Sequence, residues 1–192
     1  MSGKRRIFNN DNLAETKIVS SLADKSNLYP NSISACGCLI YKKTKGTSLV
    51  QPSDPEASGK LQLLLISYAD PKWNKLDDFG GQVDENDETV DDTIARETSE
   101  ETNGVINEEF ITEQFENDDN YNVFYNAKSK YYVAVLEVGN DFYPDTSVFG
   151  TLEETDKINR TIGWYDYLTV KNKMAVRLTS NIDLMTFLDE LV

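Results

Sequence analysis

The sequence predicts an α/β domain. Apolar and aromatic runs of strand length lie on both sides of a charged central segment, that segment opens a helix with its own cap, and the C-terminal residues repeat apolar side chains at helical spacing. With 192 residues and 39% hydrophobic content, the chain suits one domain around one core rather than two.

Taken in order, residues 1–32 are polar, with Lys4, Arg5 and Arg6 ahead of an asparagine-rich patch, and are expected to form a partly mobile N-terminal extension to a domain spanning 33–192. Residues 34–41 read as the first core strand, bounded by Lys42 and Lys43. Cys36 and Cys38, two apart on that strand, point to one face and are expected to be small buried core residues. Gly46, Pro52, Pro55 and Gly59 make 45–60 a surface hairpin loop before a second strand at 61–68. Paired glycines, Gly80 and Gly81, imply a tight backbone bend. Residues 84–88 form a charged turn. Thr89 with Asp92 three positions on is a capping pair opening a helix, and Gly104, after Asn103, is its stop. Beyond it, Glu113, Glu116, Asp118 and Asp119 are assigned to a solvated loop. Residues 121–126 and 130–138 read as an antiparallel pair and 160–165 as a further strand. Ile182, Met185, Leu188 and Leu191 mark a closing amphipathic helix.

Composition narrows the function. A formal net charge of −14, from 33 acidic and 19 basic side chains, repels polyanions and argues against strong non-specific nucleic-acid binding. Acidic groups gathered at one place would instead attract a divalent metal, which can screen a phosphate substrate. Two cysteines exclude a disulfide framework, and no apolar stretch approaches the roughly 18 residues that span a bilayer, so a soluble, reducing, cytoplasmic setting is expected.

The helix starting at Thr89 carries the chemistry. At about 100° per residue, Glu97, Glu100 and Glu101 fall within roughly 100° of one face, where each like-charged pair costs about 0.2–0.5 kcal/mol. Helix stability does not call for that crowding, whereas a bound cation reverses its sign, and hard oxygen donors suit Mg2+ or Mn2+. Val90 and Ile94 lie on or beside the same stripe one or two turns earlier, so the acidic face should continue a packed one at the edge of a cleft. Arg96 is set to pair with an upstream carboxylate, Asp87 or Glu88, locking the preceding loop to the helix.

The run from Gly81 through Glu88, Arg96, Glu97, Glu100, Glu101 and Gly104 to Val105 resembles the signature of the Nudix hydrolases: Gly, five residues, Glu, seven residues, then Arg-Glu-apolar-any-Glu-Glu-any-Gly-apolar. Two spacings depart from it. Six residues separate Gly81 from Glu88, and Asn103 stands where the family has glycine, with Gly104 one later; each looks like a one-residue lengthening of a loop beside the helix. Thr98 replaces the usual apolar residue. The resemblance implies an α/β/α sandwich around a mixed sheet and Mg2+-dependent cleavage of a diphosphate linkage, with Mn2+ as a substitute. It implies metal ligands at Glu97, Glu100, Glu101 and the Gly81 carbonyl, with Arg96 in the catalytic group. Either Glu101 or a carboxylate of the later loop 152–160 would act as general base; that loop offers Glu153, Glu154 and Asp156, of which Glu154 is assigned to catalysis.

Substrate choice in that family lies outside the signature. Trp73, Phe79, Tyr125 and Trp164 are the candidates for contacting the substrate. The resemblance favours a small phosphoanhydride such as a nucleoside triphosphate, dinucleoside polyphosphate or ADP-ribose. The alternatives are removal of the messenger RNA cap, for which Lys4, Arg5, Arg6 and the lysines at 128, 130, 171 and 173 would have to cluster, and a catalytically idle module that binds nucleotide or protein.

Overall fold

The computed structural model describes residues 33–44, 60–117, 119–143 and 145–192, and the backbone of 5–9 and 17–19. Its strands are β1 (Arg5–Asn9), β2 (Lys17–Val19), β3 (Ala35–Thr44), β4 (Lys60–Tyr68), β5 (Leu76–Asp77), β6 (Phe79–Gln82), β7 (Tyr121–Asn126), β8 (Tyr131–Glu137) and β9 (Arg160–Asp166). Its helices are α1 (Val90–Glu101), α2 (Glu108–Glu116), α3 (Tyr167–Val170), α4 (Val176–Thr179) and α5 (Ile182–Glu190). Among the described residues the strands make one mixed sheet in the order β2-β1-β7-β8-β3-β4-β5, with β6 added on β3 and β9 on β4. The pairs β3–β8 and β1–β7 are parallel and the others antiparallel.

Alternation along the central strands divides the core into two layers. Cys36, Cys38 and Ile40 of β3 and Leu64 and Ile66 of β4 face one way and pack against Ile94 and Ala95 of α1 and Ile111 and Phe115 of α2. Leu39 and Tyr41, with Leu63 and Leu65, face the other way onto Tyr167, Val170, Leu178, Leu184 and Leu188. Helices thus cover both faces, as expected of an α/β domain. Both cysteines are fully buried, and burial pushes both thiols well above their ordinary range, so they are unreactive packing residues.

The helix α1 follows from its local sequence. Thr89 Oγ1 accepts from the Asp92 amide at 3.2 Å and the Asp92 carboxylate accepts from the Thr89 amide at 2.8 Å, a reciprocal cap. Asp91 and Asp92 place negative charge at the positive end of the helix dipole.

Several expectations change. The first strand runs past Lys42 and Lys43 to Thr44, because these residues pair with Gln62, Leu61 and Lys60, and Lys42 is buried with its ammonium 4.0 Å from the centre of the Trp164 ring. Gly80 and Gly81 do not bend; they lie in β6, paired with Gly37 and Cys36. Glu113 and Glu116 sit not in a loop but on α2, which Asn107 caps and which buries Ile111 and Phe115. On α5 the buried residues are Leu184 and Leu188, whereas Ile182 is exposed, so the apolar stripe is rotated from the one expected. Arg5–Asn9 pairs with β7 and Lys17–Val19 with Arg5–Asn9, so part of the N-terminal extension continues the sheet. The 45–60 loop falls, apart from Lys60, outside the described residues. Among those described, no helix is long and apolar enough to cross a membrane.

Candidate active site

The C-terminal half of α1 lies against β6, and the contact is backbone to carboxylate. The Gly80 amide donates to Glu101 Oε2 at 2.7 Å, while the Tyr68 hydroxyl donates to Oε1 at 3.2 Å. Burial pushes the Glu101 carboxyl well above the usual carboxylate range, although the Gly80 amide works against it. A side chain at Gly81 would overlap the Glu97 carboxylate, so glycine here serves close approach of a strand to an acidic helix face.

Arg96 is the hub of the site. Its Nε and Nη2 donate to the two oxygens of Asp87 at 3.1 and 3.0 Å, Nη2 also donates to the Gln82 carbonyl at 3.0 Å, and Nη1 donates to Glu97 at 2.9 Å and Glu100 at 3.1 Å. The bond from Arg96 holds the Asp87 carboxyl below its ordinary range, while burial raises that of Glu97 against the pull of Arg96. Of the two carboxylates that could have paired with Arg96, Asp87 does so, and Glu88 is exposed. Asp87 also closes the turn before the helix, accepting from the Asp84 amide and the Thr93 hydroxyl.

Beside this face is a cleft of about 310 Å³, walled by Glu97, Glu100, Glu101, the backbone around Gly80 and Gly81, and, from the opposite side, Glu153, Asp156 and Arg160. The far wall is tied to the end of α1 by two side chains. Asn103 Nδ2 donates to the Phe149 and Leu152 carbonyls at 3.1 and 2.8 Å, and its Oδ1 accepts from the Glu154 amide at 3.0 Å. Arg160, 2% exposed, donates to the carbonyls of Phe149, Gly150 and Glu101. Asn103 can serve here because it holds φ at 56°, a left-handed conformation that asparagine tolerates.

The expected residues divide accordingly. Arg96, Glu97, Glu100, Glu101 and Gly81 come together, but Glu154 does not join them: it is exposed, and its neighbours Glu153 and Asp156 line the cleft instead. Glu153 is committed to its own turn, accepting from the Thr155 and Asp156 amides. Phe79 and Tyr125 are core residues, 0% and 4% exposed. Trp164 packs beside the core, and its Nε1 donates to the Tyr143 carbonyl at 3.3 Å. Trp73 is 58% exposed and lies in a separate hollow next to the cleft. Of the lysines that would have to form a basic track, Lys171 is paired with Asp189 at 3.2 Å. The sequence does not mark Tyr68 or Arg160 as site residues, and it marks Asn103 only for its place at the helix stop and not for its ties to the cleft wall; Tyr68 and Arg160 meet only through the β4–β9 register.

The donors available to a cation are all oxygen. Glu97 gives one oxygen to Arg96 and Glu100 does the same, and the second oxygen of each accepts nothing among the described residues. Gly81 leaves room for Glu97 to move, because no Cβ fills the space beside its carboxylate. As the side chains stand, no three acidic groups among the described residues converge tightly enough to chelate. Ligation therefore requires Glu97 and Glu100 to turn from Arg96, which keeps Asp87 and the Gln82 carbonyl as partners. No protein-family model matches the chain, and no curated protein matches it.

Proposed function

We propose that the chain is a Nudix-type hydrolase that uses Mg2+ or Mn2+ to cleave a phosphoanhydride linkage in a small nucleoside diphosphate derivative. The observation that carries this reading is the convergence of three helix-borne glutamates, a glycine strand edge and a loop carboxylate on one cleft.

Two local geometries reconcile the spacing departures with the family pattern. Asp87, separated from Gly81 by five residues, takes the arginine, which supports placing the extra residue in 88–95 rather than in the loop after the glycine. Asn103 supports the helix stop with the backbone conformation glycine favours, so no lengthening is needed there. Thr98 is fully buried, as the apolar residue of the pattern would be.

In this scheme Glu97, Glu100 and Glu101, with the Gly81 carbonyl, would hold the cation, which would supply polarisation of the diphosphate and a lowered pKa for an attacking water. Arg96 fixes the turn to the helix, and the Gly80 amide and Tyr68 hydroxyl fix Glu101. Asp156 is the loop carboxylate suited to accept the proton from water, because it lines the cleft and its carboxylate accepts nothing among the described residues. Arg160 holds the carbonyl of Glu101 and the loop that carries Asp156.

The test is incubation with nucleoside triphosphates, nucleotide sugars, dinucleoside polyphosphates, diphosphoinositols and capped RNA, with Mg2+ or Mn2+ and products resolved by mass. Cation-dependent turnover of a small nucleotide is expected. Release of the cap nucleotide alone would move the assignment to RNA, and absence of any turnover would favour a binding module.

A further inference from the structure

Beyond Tyr68 lies a second hollow of about 250 Å³, bordered by Trp73, Lys72, Lys75, Val176 and Arg177. We propose that it takes the nucleobase of the substrate, so that a nucleoside phosphate spans both depressions with its base on Trp73 and its phosphates directed past Tyr68 into the cleft. This rests on the hydrolase assignment only for the orientation of the phosphates.

The two hollows are neighbours by strand geometry. Ile66 and Tyr68 point to the same face of β4, and Asp77 lies opposite Ile66 in the β4–β5 pair, so its side chain emerges on that face too. Tyr68 lines both depressions. Its hydroxyl reaches Glu101 in one, and its ring sits 6.1 Å from the Trp73 ring, tilted by 52°, in the other. A planar group held on Trp73 is therefore one side chain away from the carboxylates.

The chemistry of the hollow selects a nucleotide. The turn Pro71–Trp73 that presents Trp73 buries none of its residues, so the indole does not serve the core. A single exposed aromatic means little. This one is joined by Lys72 and Lys75 in a protein of net charge −14, while Arg177 at the same hollow is held by Asp77 and Asp78, so the positive charge beside the stacking surface is that of the two lysines. Lys72 pairs with the exposed Asp70 at 2.9 Å with its ammonium 5.9 Å from the centre of the Trp73 ring, and Lys75 donates to the Asn172 carbonyl at 3.5 Å, so both lysines border the stacking surface on exposed partners from which they can turn to a phosphate. An inositol polyphosphate would use the cations but not the indole; an apolar ligand would use the indole but not the cations.

The chain has two tryptophans, which makes the site readable directly. In a Trp164→Phe variant with unchanged circular dichroism, the emission of Trp73 is followed against AMP, GMP, CMP and UMP, with ribose 5-phosphate alongside. At least one nucleoside monophosphate should change it saturably and ribose 5-phosphate should not. By equilibrium dialysis with the same nucleotide, Trp73→Leu should weaken binding at least tenfold. No saturable change with any of the four, an equal response to ribose 5-phosphate, or unchanged affinity in Trp73→Leu would each overturn the proposal. Monophosphates contain no anhydride, so this result stands apart from whether the cleft hydrolyses one.

Discussion

Two places in the molecule gather carboxylates around an arginine, and they are built for opposite ends. At the cleft, Arg96 is shared by Asp87, Glu97 and Glu100, with Glu101 nearby, and the face opens to solvent. At a second cluster, which reaches the surface only where Arg177 and Asp77 border the Trp73 hollow, Arg177 Nη2 meets Asp77 and Asp78 at 2.9 Å each, and Tyr131 donates to the other oxygen of Asp78 at 2.8 Å. The guanidinium of Arg177 also lies 4.7 Å from the centre of the Tyr131 ring. The second cluster is close to charge balance and joins α4, the strand before the glycines and β8, so its role is to hold three elements together. The first carries more negative charge than its arginine can neutralise, in a position a solute can reach. Acidic excess at an accessible surface is what the fold does not need, and it is why the proposed chemistry is assigned to the cleft.

Breaking each cluster should therefore give different symptoms. Arg177→Met leaves two buried aspartates without their cation and is expected to cost about 3–5 kcal/mol of stability, read as a lower denaturant midpoint. Gly81→Ala should do the reverse. Its methyl displaces the Glu97 carboxylate, which lies on a flexible side chain, so stability should change by no more than about 1 kcal/mol, while cation-dependent turnover falls on the order of 100-fold.

The Arg177 cluster should also show in the pH dependence of stability. Burial, with Asp78 adding to it and Arg177 opposing, pushes the Asp77 carboxyl up to about 7. The folded chain then holds a proton that the unfolded chain releases, so stability should fall as pH rises from the ordinary aspartate value of 3.8 to about 7. Asp77→Asn should flatten that slope in equilibrium unfolding. The smallest effect is expected at the latch between α1 and the far wall of the cleft. Asn103→Gly keeps the left-handed backbone but loses the bonds to Phe149, Leu152 and Glu154, which should cost about 1 kcal/mol. It should also lower turnover several-fold, because the loop 149–154 that leads to Asp156 loses its tie to α1.

Local signals explain what the sequence revealed. The capped helix, the acidic stripe and the alternating strands depend on residues a few positions apart, so Thr89, Asp92 and the three glutamates were legible before any tertiary contact was known. What was missed depends on register or on a neighbour distant in sequence. Tyr68 and Arg160 become partners in the site only because β4 and β9 pair with those residues opposite each other. The choice of Asp87 over Glu88 is made by the turn at 84–87, which no periodicity encodes. The glycine pair reads as a bend in the sequence, whereas the proximity of Cys36, Tyr131 and Glu97 shows that it serves close approach. The helix α2 did carry a signal, Asn107 before two glutamates with Ile111 and Phe115 four apart, but its acidic composition resembled a solvated loop.

The most direct test of a metal-loaded hydrolytic cleft is the turnover of Glu101→Gln beside the wild-type chain, on a phosphoanhydride the wild type cleaves with Mg2+. Glutamine keeps the shape and a carbonyl for the Gly80 amide, so the unfolding midpoint should stay close to that of the wild type. Turnover should fall by on the order of a thousandfold or more, whereas turnover equal to the wild type's in that folded variant would contradict the account.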